Sequence, residues 1–473
     1  MISGLWTDLY ELTMMQGYFY NDHNPEVVFD FFYRKQPFDS GYSVFAGLED
    51  LLRTLKEIQF SEEDIQYLQD HGLFHKEFLD YLKAFRFTGT VNAMPEGTII
   101  FPNEPVVQIK APLIEAQLIE SILLNTLNFQ TLIATKAARI YLASGQGKVL
   151  EFGLRRAQGQ DGALSATRAA YIGGCVATSN TYAGKKLGIP AKGTMAHSWI
   201  MSFDTEEEAF MAYAKLYPSS SIFLIDTYQT LGSGIENAIT AGKYLKEKGE
   251  SFGVRLDSGD LEYLSSSVRK RLDEAGFPDA KIAVSNELNE EIVHQLVTSG
   301  APIDVWGVGT HMVTGGSDSA LTGVYKLAAI KKKGAMEPVI KISNQPSKTT
   351  NPGDKRVFRF FDKSGSPLAD LLCLADEKPP THGAITLHHP AYEHSKYTMK
   401  GYSSVKPMLE QVMKDGKITA DLPTLKDIRE YAVSGLKALN CTYARLLNPH
   451  IYKVSLSGAL QEEKFSMMEE YSP

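Results

Sequence analysis

The pattern of apolar and polar positions is most regular in the middle of the chain. Short apolar runs recur there, and most of them are separated by helical patterns at 205–217, 234–248, 260–275 and 289–299. The runs that predict strands are Val149–Gly153, Ile189–Lys192, Ile222–Asp226, Gly253–Leu256, Ile282–Ser285, Ile303–Val308 and Val324–Ile330. Strands that alternate with helices in this way favour parallel βα units. We therefore expect an α/β fold, closed or nearly closed into a barrel, with a doubly wound open sheet as the alternative.

The two ends of the chain have a different pattern. From Thr88 to Lys110, apolar residues lie among Pro and Gly, which predicts short antiparallel strands. Long helical patterns occupy 113–143 and, near the end of the chain, 423–439. These changes predict three parts: an α+β domain with a long connecting helix at 1–148, an α/β barrel that carries catalysis at 149–345, and a C-terminal segment at 346–473 that packs back on the other two.

Composition narrows the class of protein. The 473 residues are 43% hydrophobic and 22% charged, as in ordinary globular chains, and the net charge of −8 argues against nucleic acid as the main partner. Cys175, Cys373 and Cys441 are too far apart for a disulfide framework or a zinc knuckle. No apolar run approaches the ~18 residues of a membrane span, and no basic residue precedes Arg34 to begin a targeting signal. We expect a soluble cytoplasmic protein that binds neither nucleic acid nor membrane.

Polar residues and glycines collect directly after the predicted strands. The six groups are Arg155-Arg156, Gly193–Ser198, Asp226-Thr227, Asp257–Asp260, Ser285–Glu287 and Gly309-Thr310. In a barrel or a parallel sheet, the carboxyl ends of the strands share one face, where such enzymes place their sites. Each group alone is explained by turn and cap chemistry, but six in succession favour a functional site.

The side chains of this face suggest an anionic substrate. The backbone of Gly309 offers an N–H group to phosphate, and Arg155 and Arg255 carry guanidinium groups suited to phosphate or carboxylate. Asp226 and Asp257 suit a sugar diol or a magnesium diphosphate, although their spacing alone does not define a metal site.

His197 is the most informative single residue of this face. A lone histidine is often a packed or capping group, but this one follows a strand end among arginines. It is therefore a candidate acid–base group or phosphoryl-accepting nucleophile. A phosphosugar-handling barrel enzyme, such as an aldolase or an isomerase, would instead need a lysine or a general base at a strand end, and Lys192 is the only serious candidate. A nucleotide-binding regulator without catalysis is a further alternative.

Six parts of the sequence carry a family resemblance. They are Thr7–Met14, Glu151–Gly159 with Asp161-Gly162, Gly193–Ser198, Val254–Asp260, Gly307–Thr310 and Val324–Leu327. In type and order, these motifs resemble the nicotinate phosphoribosyltransferase family over residues 7–327. Two positions depart from the family pattern: Gln229 stands where a second acid is common, and Ser319 stands where a proline is usual.

The resemblance implies a fold and a reaction. The fold is an irregular α/β barrel beside a mainly antiparallel α+β sandwich domain, in a homodimer whose site lies near the subunit interface. The reaction joins nicotinate to phosphoribosyl pyrophosphate and gives nicotinate mononucleotide and diphosphate, in NAD salvage, with ATP as a hydrolysed co-substrate. Mg²⁺ or Mn²⁺ is implied as the cofactor, with no ligand assigned. Nicotinamide and quinolinate phosphoribosyltransferases are alternatives of the same architecture.

The resemblance also assigns roles to residues that match the family motifs. His197 would be the catalytic phosphohistidine. Nicotinate would be bound by Tyr10, Thr194 and Arg255, with Tyr10 supplied by the neighbouring subunit. Thr310 would bind the 5-phosphoribosyl group, and phosphate, ribose or magnesium would contact Arg155, Asp257, Ser258 and Gly309.

Overall fold

The structure is a computed structural model that describes residues 2–345 and 348–471. These residues form two compact units. The second unit is one continuous stretch, Ile133–Ser319, and the first unit consists of the described residues on either side of that stretch. Among the described residues, no helix combines the length and the apolar character needed to cross a membrane.

The strands and helices are numbered along the chain. The strands are β1 Ile2–Ser3, β2 Glu26–Tyr33, β3 Ser43–Val44, β4 Ile58–Gln59, β5 Thr90–Ala93, β6 Ile99–Ile100, β7 Val107–Pro112, β8 Lys148–Glu151, β9 Ala177–Thr178, β10 Ile222–Leu224, β11 Gly253–Leu256, β12 Lys281–Val284, β13 Val305–Val308, β14 Gly323–Lys332, β15 Ala335–Pro338, β16 Lys355–Phe361, β17 Pro367–Leu374, β18 Ala384–His388, β19 Lys396–Lys400, β20 Ser404–Pro407, β21 Glu410–Lys414, β22 Lys417–Ile418 and β23 Lys453–Leu456. The helices are α1 Leu9–Tyr20, α2 Leu48–Glu57, α3 Glu62–Asp70, α4 Lys76–Lys83, α5 Leu113–Leu118, α6 Glu120–Ala143, α7 Gly159–Ile172, α8 Thr181–Leu187, α9 His197–Met201, α10 Glu206–Leu216, α11 Ile235–Glu247, α12 Leu261–Glu274, α13 Glu290–Thr298, α14 Thr310–Val313, α15 Leu425–Ala438, α16 Cys441–Ala444 and α17 Gly458–Glu470.

The first unit is built on two sheets that are mainly antiparallel. One has seven strands in the order β15-β14-β2-β7-β5-β21-β22, and the other has six in the order β19-β18-β23-β17-β16-β20. The short antiparallel strands predicted between Thr88 and Lys110 are confirmed as β5, β6 and β7. Phe31 of β2 and Ile109 of β7 are fully buried in the core that the first sheet shares with its helices. The unit is therefore an α+β arrangement around an antiparallel sheet.

One strand predicted for the parallel sheet belongs to the first unit instead. The segment Val324–Ile330 lies within β14, which pairs antiparallel with β2. Tyr325 of β14 is fully buried, and its ring stacks on that of Phe29 with centroids 4.6 Å apart. The expectation that this segment continues the βα series was wrong. A short apolar run fits an antiparallel sheet as well as a parallel one, because its hydrophobicity does not specify its neighbour.

The second unit contains a parallel sheet of six strands in the order β10-β11-β12-β13-β8-β9. Phe223, Val254 and Ile282 are completely buried at the centres of their strands, as in parallel sheets that are covered on both faces. The four helical patterns predicted between the strands are confirmed as α10, α11, α12 and α13. The carboxyl ends of these strands therefore share one edge of the sheet.

The edge beside β9 differs from the prediction. The segment Ile189–Lys192 was expected to be a strand, but only Ala191 pairs, in a single parallel bridge to Thr178. The two-residue strand β9 was not predicted, because so short a segment carries no periodic signal. None of the strand pairs among the described residues joins β10 to the other end of the sheet. The structure thus establishes a parallel α/β sheet, and its closure into a barrel stays a prediction.

Candidate active site

Arg255 is the centre of a hydrogen-bonded group at the carboxyl end of β11. Its Nε donates to Oγ of Ser285 (2.8 Å). Its Nη1 donates to Oγ1 of Thr194 (2.7 Å) and to the carbonyl of Met195 (3.3 Å), and its Nη2 donates to Oδ1 of Asp257 (2.8 Å). Because a guanidinium carries five N–H groups, these contacts leave one N–H of Nη2 for a ligand. The side chain is only 14% exposed, so its orientation is set before any ligand binds.

Asp257 is the counter-ion of this arginine. Its Oδ1 accepts from Arg255 and from the hydroxyl of Ser285, and its Oδ2 lies 3.9 Å from Nε2 of His197. Burial acts to raise the pKa of this carboxyl, but the hydrogen bonds from Arg255 and Ser285, together with the charge of Arg255, outweigh burial and lower the pKa below its usual value. Asp257 is therefore ionised at neutral pH, and it pairs the positive charge of Arg255.

His197 is the first residue of α9, and its ring contacts two strand ends. Its Nδ1 lies 3.0 Å from Oγ1 of Thr227, which follows β10, and its Nε2 faces Asp257, which follows β11. The side chain is 41% exposed. The ring is thus oriented by the protein and still accessible, which is the arrangement that a nucleophile or an acid–base group requires.

Asp226 connects the end of β10 to the loop after β11. Its Oδ2 accepts from the backbone N–H of Asp257 (2.8 Å) and from the hydroxyl of Ser258 (2.7 Å). Its Oδ1 is buried and has no hydrogen-bond partner among the described residues. Gly234 lies close to the backbone of Ile225, the residue between β10 and Asp226, and a Cβ at Gly234 would collide with that backbone. A buried carboxylate oxygen without a donor is unusual and calls for a ligand or an ion.

Five of the predicted site residues line one cavity of about 470 Å³: Arg155, Thr194, His197, Arg255 and Asp257. Arg155 is exposed, and it makes no hydrogen bond or ion pair within the described part of the chain. Since Arg255 is paired with Asp257, Arg155 brings an uncompensated positive charge to this cavity. Ser258 lines a second cavity, of about 550 Å³, which also includes Asp257.

Gly309 and Thr310 lie at the carboxyl end of β13, on the same edge of the sheet as Arg255, and Thr310 begins α14. Neither residue is among those that line the cavity of Arg255. Earlier in β13, Gly307 makes room for the ring of Phe152, from which a Cβ would be only 2.7 Å away. Phe152 itself lines the cavity, so this glycine contributes to its shape.

Tyr10 belongs to the first unit, whereas the other predicted site residues belong to the second. It lies on α1 and is 51% exposed. The pKa of its hydroxyl is raised by the hydrogen bond to Glu11, by partial burial and by the nearby charge of Glu120. An exposed aromatic ring of this kind can contact a ligand or another chain.

The sequence did not identify Glu151 as a site residue. It is buried at the end of β8, where it accepts from the backbone N–H of Gly153 and from the hydroxyls of Thr178 (2.5 Å) and Thr167 (3.0 Å). These hydrogen bonds connect the end of β8 to β9 and to α7. The bond from Gly153 also holds the start of the turn that carries Arg155. The sequence signals for Glu151 were its position at a strand end and its place at the start of the motif Glu151–Gly159, and neither gave it a role.

Ser285 and Thr227 were predicted only as members of strand-end groups, without roles of their own. The structure gives each a specific partner, since Ser285 joins Arg255 to Asp257 and Thr227 contacts His197. Their residue types suit turns as well as sites, so the sequence could not separate the two.

Three family models match consecutive parts of the chain. Residues 5–128 match the nicotinate phosphoribosyltransferase (NAPRTase) N-terminal domain. Residues 147–365 match the nicotinate phosphoribosyltransferase (NAPRTase) family, and residues 354–464 match the nicotinate phosphoribosyltransferase C-terminal domain. The second of these matches includes every predicted site residue except Tyr10, which lies within the first.

Individual proteins are similar over almost the full length. The chain is 43% identical over 469 residues to nicotinate phosphoribosyltransferase from Bacillus subtilis (strain 168), and the match covers 98% of this chain and 95% of that relative. It is 37% identical over 525 residues to nicotinate phosphoribosyltransferase from Caenorhabditis elegans, covering 98% of this chain and 92% of the relative. The crystal structure of human nicotinic acid phosphoribosyltransferase superimposes with a TM-score of 0.86 at 32% identity, covering 98% of this chain and 99% of that chain.

Proposed function

The chain belongs to the nicotinate phosphoribosyltransferase family, and we propose that the cavity of Arg255 is where it joins nicotinate to phosphoribosyl pyrophosphate. The products are nicotinate mononucleotide and diphosphate, so the enzyme is a transferase of NAD salvage. One observation carries the placement: five residues of the family motifs line a single cavity that offers cationic, carboxylate, hydroxyl and imidazole groups.

The two arginines of the cavity suit an aromatic carboxylate. Arg255 has one N–H left for a ligand, in a direction set by Asp257, Thr194 and Ser285. We propose that Arg255 and Thr194 orient the nicotinate carboxylate, with Tyr10 against the pyridine ring. The unpaired guanidinium of Arg155 supplies the excess positive charge that anionic substrates require.

The chemistry needs alignment and charge stabilisation more than proton transfer. The ring nitrogen of nicotinate attacks C1 of the ribose, the bond from C1 to the diphosphate oxygen breaks, and diphosphate leaves with the electron pair. The transition state resembles an oxocarbenium ion, as in glycoside chemistry. Because the pyridine nitrogen carries no proton, no general base is required. Arg155, Gly309 and Thr310 are proposed to hold the phosphate groups in line for this displacement.

Asp226 and Asp257 would hold Mg²⁺ or Mn²⁺ together with the diphosphate. No group of three or more potential ligand side chains occurs among the described residues, so the substrate would complete the coordination. The buried, unpartnered Oδ1 of Asp226 fits this assignment. When bound, the cation would neutralise charge on the departing diphosphate.

We propose that His197 couples the reaction to ATP by accepting its γ-phosphoryl group. A neutral imidazole is nucleophilic near neutral pH, and this ring is accessible at the cavity. A phosphoryl group there would add negative charge and acceptor oxygens beside Arg155 and Arg255. The pocket for the phosphoribosyl substrate would then be reorganised, so that ATP drives synthesis without contacting nicotinate.

Replacement of His197 by Asn tests this coupling. We expect the variant to lose ATP turnover and the acid-labile label acquired from γ-labelled ATP, while a slow, ATP-independent condensation of nicotinate with phosphoribosyl pyrophosphate persists. The control is His294→Asn, which changes an exposed histidine of α13 and should leave both properties intact. Full ATP stimulation in the His197→Asn protein would require another phosphoryl acceptor.

The last part of the proposal is the organisation of the protein into subunits and domains, and its location. We propose a homodimer in which Tyr10 of one subunit completes the site of the other, and a parallel sheet that closes into an irregular barrel. The three-part division at 1–148, 149–345 and 346–473 is kept as part of this proposal. Cytoplasmic residence is supported by Cys175, Cys373 and Cys441, none of which forms a disulfide in the described part of the chain.

A further inference from the structure

Ser179 lines the cavity of Arg255, and the proposed reaction assigns it no role. It directly follows β9, and its backbone N–H donates to the carbonyl of Glu151 (2.9 Å), so it continues the pairing of β9 with β8. Its side chain is half-buried, and its hydroxyl makes no hydrogen bond among the described residues. A hydroxyl that the backbone holds in place and that has no protein partner is available to a ligand of the cavity.

The residues on either side of Ser179 point away from the cavity. Oγ1 of Thr178 donates to Oε2 of Glu151 (2.5 Å), and Nδ2 of Asn180 donates to Oγ1 of Thr167 on α7 (3.4 Å). Both side chains are buried, because successive residues of an extended segment alternate between its two faces. Thr178 and Asn180 therefore face α7, and Ser179 faces the cavity.

Phe152 lies beside Ser179 on the face that lines the cavity. Glu151 pairs with Thr178, so the next residues of these two parallel strands, Phe152 and Ser179, are neighbours. The one acidic residue lining this cavity in the described chain, Asp257, is paired with Arg255. An aromatic ring next to an unpaired hydroxyl, in a cavity that holds two arginines, suits an aromatic ligand with an anionic group.

We propose that Ser179 is a further substrate-binding residue, whose hydroxyl donates a hydrogen bond to the carboxylate of nicotinate. The inference rests on the proposed binding of nicotinate in this cavity and adds a determinant of specificity to it. A hydrogen bond to a charged group is stronger than one to a neutral group, so this contact favours nicotinate over nicotinamide. Phosphate oxygens are the other anionic acceptors, but Gly309 and Thr310, which are proposed to hold phosphate groups, do not line this cavity.

Steady-state kinetics of the full-length protein test this contact. We expect Ser179→Ala to raise the KM for nicotinate by about 10-fold or more, because a hydrogen bond to a charged group is lost. The preference for nicotinate over nicotinamide should fall by about 5- to 10-fold, since the amide loses only a neutral hydrogen bond. The KM for phosphoribosyl pyrophosphate should not change. Ser179→Thr keeps the hydroxyl and should retain most of the affinity for nicotinate.

The matched control is Ser165→Ala, which changes a half-buried serine of α7 that does not line the cavity. Its KM values should equal those of the wild type. The melting temperature of Ser179→Ala should also equal that of the wild type, because its hydroxyl has no partner in the described chain. If Ser179→Ala fails to fold, Ser179→Cys takes its place, since a thiol is a weaker donor of similar shape, and the KM for nicotinate should still rise.

Three results would overturn the inference. An unchanged KM for nicotinate in Ser179→Ala, or in Ser179→Cys where that variant replaces it, would remove the role of Ser179 and leave the proposed function intact. A rise in the KM for phosphoribosyl pyrophosphate, with the KM for nicotinate unchanged, would instead assign the hydroxyl to a phosphate group. If the wild type releases no diphosphate with nicotinate, the proposed function fails and the inference fails with it.

Discussion

At the scale of single residues, the two arginines of the cavity differ in their contacts with the rest of the protein. Arg255 directs four of its N–H groups at Ser285, Thr194, Met195 and Asp257, whereas Arg155 has no polar partner in the described chain. Removing Arg255 would leave an ionised carboxylate and two hydroxyls without their donor, which costs more than the contact to a ligand alone. Removing Arg155 would change ligand binding only.

The first prediction separates these roles at Arg155. We expect Arg155→Gln to weaken binding of the anionic substrates by about 10- to 150-fold, since a charge-assisted contact contributes roughly 1.5–3 kcal/mol. The melting temperature should stay that of the wild type, because no contact within the described chain is lost. Arg156→Gln, at the next residue of the same turn, is the matched control, since Arg156 does not line the cavity. Equal KM values for the two variants would contradict the role of Arg155.

At the scale of elements, α17 carries a buried charge that the site does not use. Lys464 is 3% exposed, and its Nζ donates to Oδ1 of Asn351 (2.9 Å) and to the carbonyl of Pro390 (2.7 Å). Burial, and then the charge of Lys355, lower the pKa of Lys464 to about 8. Lys355 is itself paired with Asp30 at 2.8 Å, so Lys464 lacks a carboxylate of its own among these neighbours.

The second prediction is a pH dependence of stability that originates at Lys464. Between pH 8 and 10.5 the side chain of Lys464 is protonated in the unfolded chain and deprotonated in the folded protein. Because the unfolded chain binds more protons there, the free energy of unfolding rises as pH rises through that window. We expect the free energy of unfolding of the wild type, relative to Lys464→Met, to rise by about 3 kcal/mol across it. Denaturant titrations at several pH values measure this difference. The control is Lys426→Met, which changes an exposed lysine of α15 and should show no such trend. If the difference in free energy of unfolding between the wild type and Lys464→Met does not change with pH, the prediction is wrong.

The sequence predicts the bounds of helices more closely than it predicts which strands pair with each other. The patterns at 205–217 and 289–299 became α10 and α13, with ends within a residue of the prediction, because each helix buries one apolar stripe. The pattern at 113–143 became two helices, α5 and α6, which are separated at Ile119. The partner of β14 could not be predicted, since pairing depends on distant segments that share no local signal.

The site was predictable as a set of residues but not as a set of contacts. Arg155 and Asp257 follow β8 and β11, Thr194 and His197 follow the single bridge at Ala191, and all four line one cavity as their positions after predicted strands suggested. Which of them pair is decided by strand order: β10 and β11 are neighbours, so Asp226 reaches the backbone of Asp257, 31 residues away. That contact, and the contrast between the paired Arg255 and the unpaired Arg155, exist only in the folded chain.

At the scale of the whole molecule, the first unit exposes apolar side chains around Tyr10. Trp6, Leu9 and Tyr10 are 64%, 47% and 51% exposed, and they lie on or just before α1. Clustered exposed apolar groups mark interaction surfaces. They support the proposal that this part of one subunit meets another subunit.

The third prediction tests that shared site by complementation. Tyr10→Ala and Arg255→Ala proteins should each be inactive, but a mixed dimer has one site with both changes and one site with neither. Random exchange makes about half of the dimers mixed, so the mixture should regain about a quarter of the wild-type activity. Either protein incubated alone under the same conditions is the control. No regained activity, once subunit exchange has been demonstrated by mass, would show that Tyr10 does not act across the interface.

Diphosphate release from phosphoribosyl pyrophosphate, with nicotinate or nicotinamide as the acceptor, tests the central claim most directly. The wild type should release diphosphate with nicotinate and form nicotinate mononucleotide, and it should prefer nicotinate to the neutral amide by about 10- to 150-fold through the charged contact of Arg255. Arg255→Gln should lose most of that preference even where some activity remains. Diphosphate release that is independent of nicotinate, or an undiminished preference for nicotinate in Arg255→Gln, would contradict the account.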